Sequence, residues 1–247
     1  MERVITCLDV ARERLANRAI KETTLREYLA TIRTLGLEEV PFDSVSVAML
    51  TGKLQRVISP NTRRKHAINL RACLGLPLPC PKPARKHHDI PPLGLLTSTL
   101  DQSAYRMWGF AMLFAGLRLG EACANQPIRG NVITVDRQRL PDGTIGTPKT
   151  AGPVVAPDWF ATEYRNHDFT RAANTVYVGI RRAGRKAGIA LTPHILRHAF
   201  ATNLVNRGAS PEILRRQMRH HDVSVSLGFY VHTTQSDVEA AMARAFG

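Results

Sequence analysis

Residues 76–92 read Leu-Pro-Leu-Pro-Cys-Pro-Lys-Pro-Ala-Arg-Lys-His-His-Asp-Ile-Pro-Pro. Proline locks φ and lacks a backbone donor, so neither a helix interior nor a central strand can cross this stretch. It must run extended and semi-rigid. A chain of 247 residues has room for two modest cores, and this stretch divides it. The sequence therefore predicts a unit over 1–78, a basic linker over 79–92 and a larger unit over 93–247. Arg85 and Lys86, beside His87 and His88, suit phosphate contacts within the linker.

Upstream, residues 5–17, 22–35 and 43–57 carry helical patterning. Leu25, Tyr28, Leu29 and Ile32 fall on one face, and Thr23 or Thr24 is placed to cap their helix. Ser59-Pro60 opens a fourth helix, because serine suits the cap and proline the first helical position. That helix carries Arg63, Arg64 and Lys65, which read either as a DNA-contacting row or as a solvated face.

Downstream, Ala104–Ala115 is apolar on nearly every side and predicts a buried helix, ended by Gly116. Leu117–Ala124 starts another. Val132–Val135, a turn at Pro141–Gly143 and another at Thr150–Gly152 before Pro153-Val-Val predict a small antiparallel sheet. Residues 171–187 return to helix. Thr192-Pro193 opens a helix reaching about Asn206, Ser210-Pro211 opens the next, Asp222 starts a third, and Ser236–Phe246 is an amphipathic tail. The fold class is α+β: mainly helical, with one small antiparallel sheet.

Charge narrows the function. Lys and Arg total 34 against 20 Asp and Glu, a net +14, which favours a polyanionic partner because neutralising phosphates releases counterions. The longest apolar run, Met107–Leu117, falls short of the roughly 20 residues a spanning helix needs. The N-terminus has no signal-peptide core. A cytoplasmic protein facing nucleic acid, without a membrane partner, is expected. The four cysteines form no Cys-x-x-Cys pair. Cys73 and Cys80 precede His87 and His88 at spacings that match no common zinc finger, so no metal is expected. Gly143 to Lys149-Thr150 nearly spells a phosphate-binding loop. Pro148 stands where that loop needs glycine, which excludes nucleotide binding of this kind.

His194 and Arg197 lie three apart in the first turn of a helix, where free N–H groups and the dipole favour an anion. Around them the sequence runs Leu191-Thr-Pro-His-Ile-Leu-Arg-His-Ala-Phe-Ala-Thr-Asn-Leu, then Asn206-Arg-Gly-Ala-Ser-Pro-Glu-Ile-Leu, His220-His-Asp-Val-Ser-Val-Ser and Phe229-Tyr-Val-His. These segments resemble, in order and near spacing, the second conserved box of the tyrosine recombinase (phage integrase) family. Ala115-Gly-Leu-Arg-Leu-Gly-Glu-Ala resembles its first box. The resemblance covers 92–247. The N-terminal helices fit the family's core-site DNA-binding domain by position and helix count alone.

The resemblance implies a role for each matching residue. Arg118 and Arg197 would clamp the scissile phosphate, Glu121 would buttress Arg118, and His194 would serve as general base or phosphate ligand. Lys149, at a β-hairpin tip, would protonate the departing 5′ oxygen, and Tyr230 would be the nucleophile. The family's remaining histidine falls on His220 when counted forward from Gly208 and on His221 when counted back from Tyr230; the forward count is preferred. Arg219 then replaces the usual glycine. Taken singly, each residue has a plainer reading: Arg118 with Glu121 as a surface ion pair, Lys149 as a solvated turn residue, Tyr230 as a core aromatic.

The implied activity is site-specific DNA recombination through a 3′-phosphotyrosine, in phage or mobile-element integration, with no cofactor, ATP or metal. The implied partners are double-stranded DNA at core-type sites, a homotetramer on paired sites whose tails exchange between protomers, and an accessory directionality factor. The implied setting is the nucleoid of a prokaryotic cytoplasm. The length points to the simple kind without a separate arm-site-binding domain. Two alternatives are a non-catalytic helix-turn-helix regulator over 196–230 and a relaxing topoisomerase with similar tyrosine chemistry.

Overall fold

The computed structural model describes residues 4–82 and 89–220, with Glu239 and Ala243 beyond them. The chain divides into two compact units, Met1–His87 and His88–Gly247, and the division falls inside the proline-rich stretch.

In the first unit, α1 (Cys7–Ala16) opens with a reciprocal cap: Thr6 Oγ1 accepts from the Asp9 amide at 3.2 Å, and Asp9 Oδ2 accepts from the Thr6 amide at 3.1 Å. α2 (Glu22–Thr34) is capped by neither threonine expected to do so. It starts at Glu22, so Thr23 and Thr24 lie inside its first turn, and its N-cap, Lys21, makes no side-chain bond. The 43–57 segment is a short 3-10 turn at Phe42–Ser44 followed by α3 (Val47–Gln55), capped by Ser46. α4 (Pro60–Leu74) opens on Ser59, whose Oγ accepts from the Thr62 amide at 3.4 Å, and closes at left-handed Gly75. α1 and α2 pack on α4. Ala11, Leu15, Ile32, Leu50, Leu54, Leu70 and Leu74 form the core. Leu78 is buried in the same core, so the first unit holds the chain beyond its last helix. Cys7 and Cys73 are buried there too, and burial pushes the Cys73 thiol up to about 11; such cysteines act as small apolar groups.

The second unit runs α5 (Leu93–Asp101), α6 (Arg106–Phe114), α7 (Leu119–Ala122), β1 (Ile128–Arg129), β2 (Val132–Val135), β3 (Gln138–Arg139), β4 (Ile145–Gly146), β5 (Gly152–Val155), α8 (Asp158–Arg165), α9 (Ala173–Lys186), α10 (Pro193–Asn206) and α11 (Pro211–Met218). α6 is the central helix. Its Trp108, Phe110, Met112 and Leu113 are buried, as its all-round apolar sequence requires, and α10, α5 and α8 pack around it. The sheet has the order β1-β2-β5, antiparallel throughout, with Ile133 opposite Val154; β3 and β4 form a separate hairpin. Ile133, Val135 and Val154 face the core. Among the described residues no helix is long and apolar enough to cross a membrane.

One contact sets where α11 ends. Gln217 imitates a pairing strand on β5: its Oε1 accepts from the Val155 amide at 3.1 Å and its Nε2 donates to the Val155 carbonyl at 2.6 Å. The C-terminus of α11 is thereby docked beside the sheet.

Candidate active site

Three segments distant in sequence meet in the second unit: Gly116–Glu121, the first half of α10, and the end of α11. Each has a local reason for its position. Gly116 ends α6 in the left-handed region (φ +64°), and a Cβ there would lie 2.7 Å from the Phe200 ring. Only glycine fits both the dihedral and the space. Its exposed carbonyl accepts a hydrogen bond from Arg197 Nη1, while Arg197 Nη2 donates to the Met218 carbonyl. Arg197, only 7% exposed, therefore ties the end of α6 to the end of α11. Two of its five N–H donors are spent this way.

Arg118 precedes α7. Its amide donates to Glu121 Oε2 at 2.7 Å and its Nη1 to Glu121 Oε1 at 2.8 Å. The plain surface ion pair considered from the sequence is excluded, because the Glu121 side chain is 0% exposed while that of Arg118 is 30% exposed. A second arginine reaches the same carboxylate: Arg219 Nη2 donates to Glu121 Oε2, and the Arg219 side chain is 2% exposed. The Arg219 carbonyl accepts from Arg118 Nη2 at 3.4 Å.

Arg219 answers the question its sequence position raised. It takes the left-handed conformation that glycine adopts most readily, φ 50° and ψ 49°, at a cost of about 1–2 kcal/mol. The turn keeps a helix-closing pattern, with the His220 amide donating to the Arg215 carbonyl at 3.0 Å.

The cluster is strongly positive. Three guanidiniums surround one carboxylate. Burial, then Arg118 and Arg219, push Arg197 down to about 9, with Glu121 opposing. It is still charged at neutral pH. Burial pushes Arg219 down and Glu121 holds it up. Burial, then Arg197, Arg118, Arg219 and His198, push His220 down to about 4. His220 is thus a neutral imidazole at pH 7. On α10, Thr192 Oγ1 caps the helix through the Ile195 amide at 3.2 Å. His194 is exposed there, with its Nε2 2.8 Å from His198 Nε2 and the two rings edge to face. One ring must donate and the other accept. Preorganised donors and positive charge around a neutral base suit a developing oxyanion.

Arg118, Arg197 and His220 thus come together: Arg118 is held by Glu121, Arg197 by the Gly116 and Met218 carbonyls, and the charges of both arginines reach His220; His194 connects to them through His198. Lys149 was expected at a hairpin tip and is not there. The tight turn of the β3–β4 hairpin is closed by Leu140 and Thr144, because Gly143 supplies the positive φ (+89°). Lys149 is exposed in the bend between β4 and β5, within the longer connection joining the paired strands β2 and β5. Tyr230 and His221 lie outside the described residues, as do Arg85, Lys86 and most of the tail; Glu239 and Ala243 within it are helical and exposed.

In the first unit, the Arg63–Lys65 row has work inside the protein. Arg63 donates from Nε and Nη2 to the Val57 carbonyl at 3.2 and 2.9 Å, closing the chain after α3. Lys65 pairs with Glu27. Arg64 is half-buried, and its Nε makes no hydrogen bond among the described residues. Two features of the site went unread in the sequence: His198 and the bond between Arg219 and Glu121. His198 could have been found from its i+4 spacing to His194. The pairing of Arg219 with Glu121 joins positions 98 residues apart and has no local signal.

The chain is similar in sequence or fold to several known proteins. Residues 164–237 match the phage integrase family. The tyrosine recombinase XerA of Pyrococcus horikoshii is 30% identical over 90 residues, 36% of this chain and 31% of that protein. The transposase of transposon Tn916 from Enterococcus faecalis is 41% identical over 54 residues, 22% of this chain and 13% of that protein. The matched stretches thus span less than a third of these relatives. An integrase fragment of transposon Tn1549, solved in complex with circular intermediate DNA, shares the fold with a TM-score of 0.78 at 18% identity, covering 97% of this chain and 99% of that one. A lambda integrase fragment, solved as a dimer on a core site, shares it at 0.65 and 16%, covering 93% and 95%.

Proposed function

We propose that this chain, which belongs to the tyrosine recombinase (phage integrase) family, is a site-specific DNA recombinase acting in mobile-element or phage integration. The observation that carries the reading is the cluster of Arg118, Arg197 and Arg219 around buried Glu121, which bonds the first and the last of them, beside neutral His220. A DNA-binding regulator needs no such oxyanion site. The fold shared with integrases solved on DNA supports a DNA substrate.

The reaction follows from the residues. The Tyr230 hydroxyl attacks a backbone phosphorus, the Oη–P bond forms and the P–O5′ bond breaks. Arg118 and Arg197 stabilise the non-bridging oxygens with the donors their intramolecular bonds leave over; each such preorganised donor is worth about 10²–10³-fold in rate. The tyrosine proton passes to a histidine, and Lys149 protonates O5′. Tyrosine has an ordinary pKa near 10, so the positive field assists its loss of the proton. In the second step a 5′ hydroxyl of another strand attacks the phosphotyrosine and releases Tyr230. Phosphodiester energy is conserved, so the chemistry draws on no ATP. The first unit and the basic linker, 1–78 and 79–92, grip core-type DNA through Arg63, Arg64, Lys65, Arg85 and Lys86. The catalytic unit spans 93–247. Four protomers assemble on two sites in the prokaryotic cytoplasm, with the tail passing between neighbours and a directionality factor choosing the outcome.

The test is a two-site assay on DNA carrying the element's ends. Exchange of flanking arms between sites supports recombination. Supercoil relaxation without exchange would assign a topoisomerase instead, and binding without cleavage a regulator.

A further inference from the structure

We propose that Arg219 is a positioning residue of the active site. Its side chain fixes one oxygen of Glu121 and its carbonyl holds Arg118, so the guanidinium of Arg118 meets the scissile phosphate in one orientation. The inference rests on the recombinase reading and assigns a new part within it.

Several observations converge. Among the described residues Arg219 is the sole non-glycine with positive φ. A strained conformation held by a long charged side chain marks a site where the surroundings over-determine the backbone. The strain also directs two groups: the Arg219 carbonyl to Arg118 Nη2 and the next residue, His220, to the arginine cluster. The stem of Arg219 lies beside Gly152 at the start of β5, where an added Cβ would sit 3.7 Å from its Cδ. The side chain ends on the Oε2 atom that also takes the Arg118 amide. Arg118 Nη1 is left with Oε1. Two arginines thus divide one carboxylate, one oxygen to each guanidinium, and the Glu121 plane cannot turn. Among the described residues Arg219 Nε and Nη1 are buried without a hydrogen-bond partner, and Glu121 is the carboxylate that pairs with this guanidinium.

Arg219→Gly separates these roles from turn formation, because glycine prefers the same left-handed turn. Cleavage at saturating nicked suicide DNA should fall about 10²-fold, as a misplaced phosphate clamp would cause. Site affinity should change less than threefold. The imidazole of His220, faced by Arg197, Arg118, Arg219 and His198, should titrate at higher pH by NMR, since one like charge is gone. Arg219→Lys should restore part of the cleavage and hold the His220 titration near its wild-type position. Arg219→Gly cleaving like wild type, an unmoved His220 titration, or no recovery with lysine would each overturn the proposal. Failure of the wild-type protein to form a covalent complex on the same DNA would instead overturn the recombinase reading.

Discussion

Glu121→Gln isolates the charge at the centre of the site. The substitution keeps shape and volume but removes the counterion of Arg118 and Arg219. Arg219 is then a guanidinium 2% exposed with an amide where its carboxylate stood, and Arg118 loses the acceptor of a 2.8 Å charged bond. Removing one partner of a buried ion pair costs about 3–5 kcal/mol, because the remaining charge stays desolvated. For a unit of this size each kcal/mol lowers Tm by about 2–4 °C, so a fall of roughly 6–20 °C is expected. Calorimetry of the intact protein measures it, with urea unfolding followed at Trp108 and Trp159, both in the second unit. The double variant Glu121→Gln with Arg219→Gly should be less destabilised than the sum of the two singles, since the stranded charge is gone with its partner. A single-variant loss under 1 kcal/mol, or strict additivity, would refute the view that Glu121 is the buried counterion of both arginines.

His220→Ala should reduce covalent complex formation far more than His221→Ala, checked side by side on a nicked site; equal losses would favour the alternative alignment. His220 should titrate near 4 by imidazole NMR, below the ordinary value of about 6.5. Its contribution to stability is then whole above about 6.5 and is lost as pH falls through about 4, so acid unfolding of His220→Ala should be less steep over that window. Gly116→Ala should destabilise the second unit by more than 1 kcal/mol in urea unfolding and lower cleavage, because the Phe200 ring must move and the Gly116 carbonyl that holds Arg197 moves with it.

Helix starts governed by local chemistry were legible in the sequence. Ser59-Pro60, Thr192-Pro193 and Ser210-Pro211 each cap a helix as their residue types dictate. α5 and α8 were not read: both begin after a proline N-cap that makes no side-chain bond, and proline signals a boundary without saying which element follows. Of the site, Arg118, Glu121, His194 and Arg197 were readable as motif positions. That Arg197 would spend two donors on the carbonyls of Gly116 and Met218 was not, because those partners are set by how α6, α10 and α11 pack. The Arg219 turn was flagged as a departure from glycine, but its outcome depended on a carboxylate 98 positions away.

The central claim is that Tyr230 becomes covalently joined to DNA. Wild-type protein on a nicked suicide site, in EDTA and without nucleotide, should be trapped, and protease digestion followed by mass spectrometry should find a 3′-phosphonucleotide on the peptide carrying Tyr230. Tyr230→Phe should bind the same DNA and yield no adduct. An adduct on another residue, an adduct that persists in the phenylalanine variant, or cleavage that leaves no covalent protein would contradict the account.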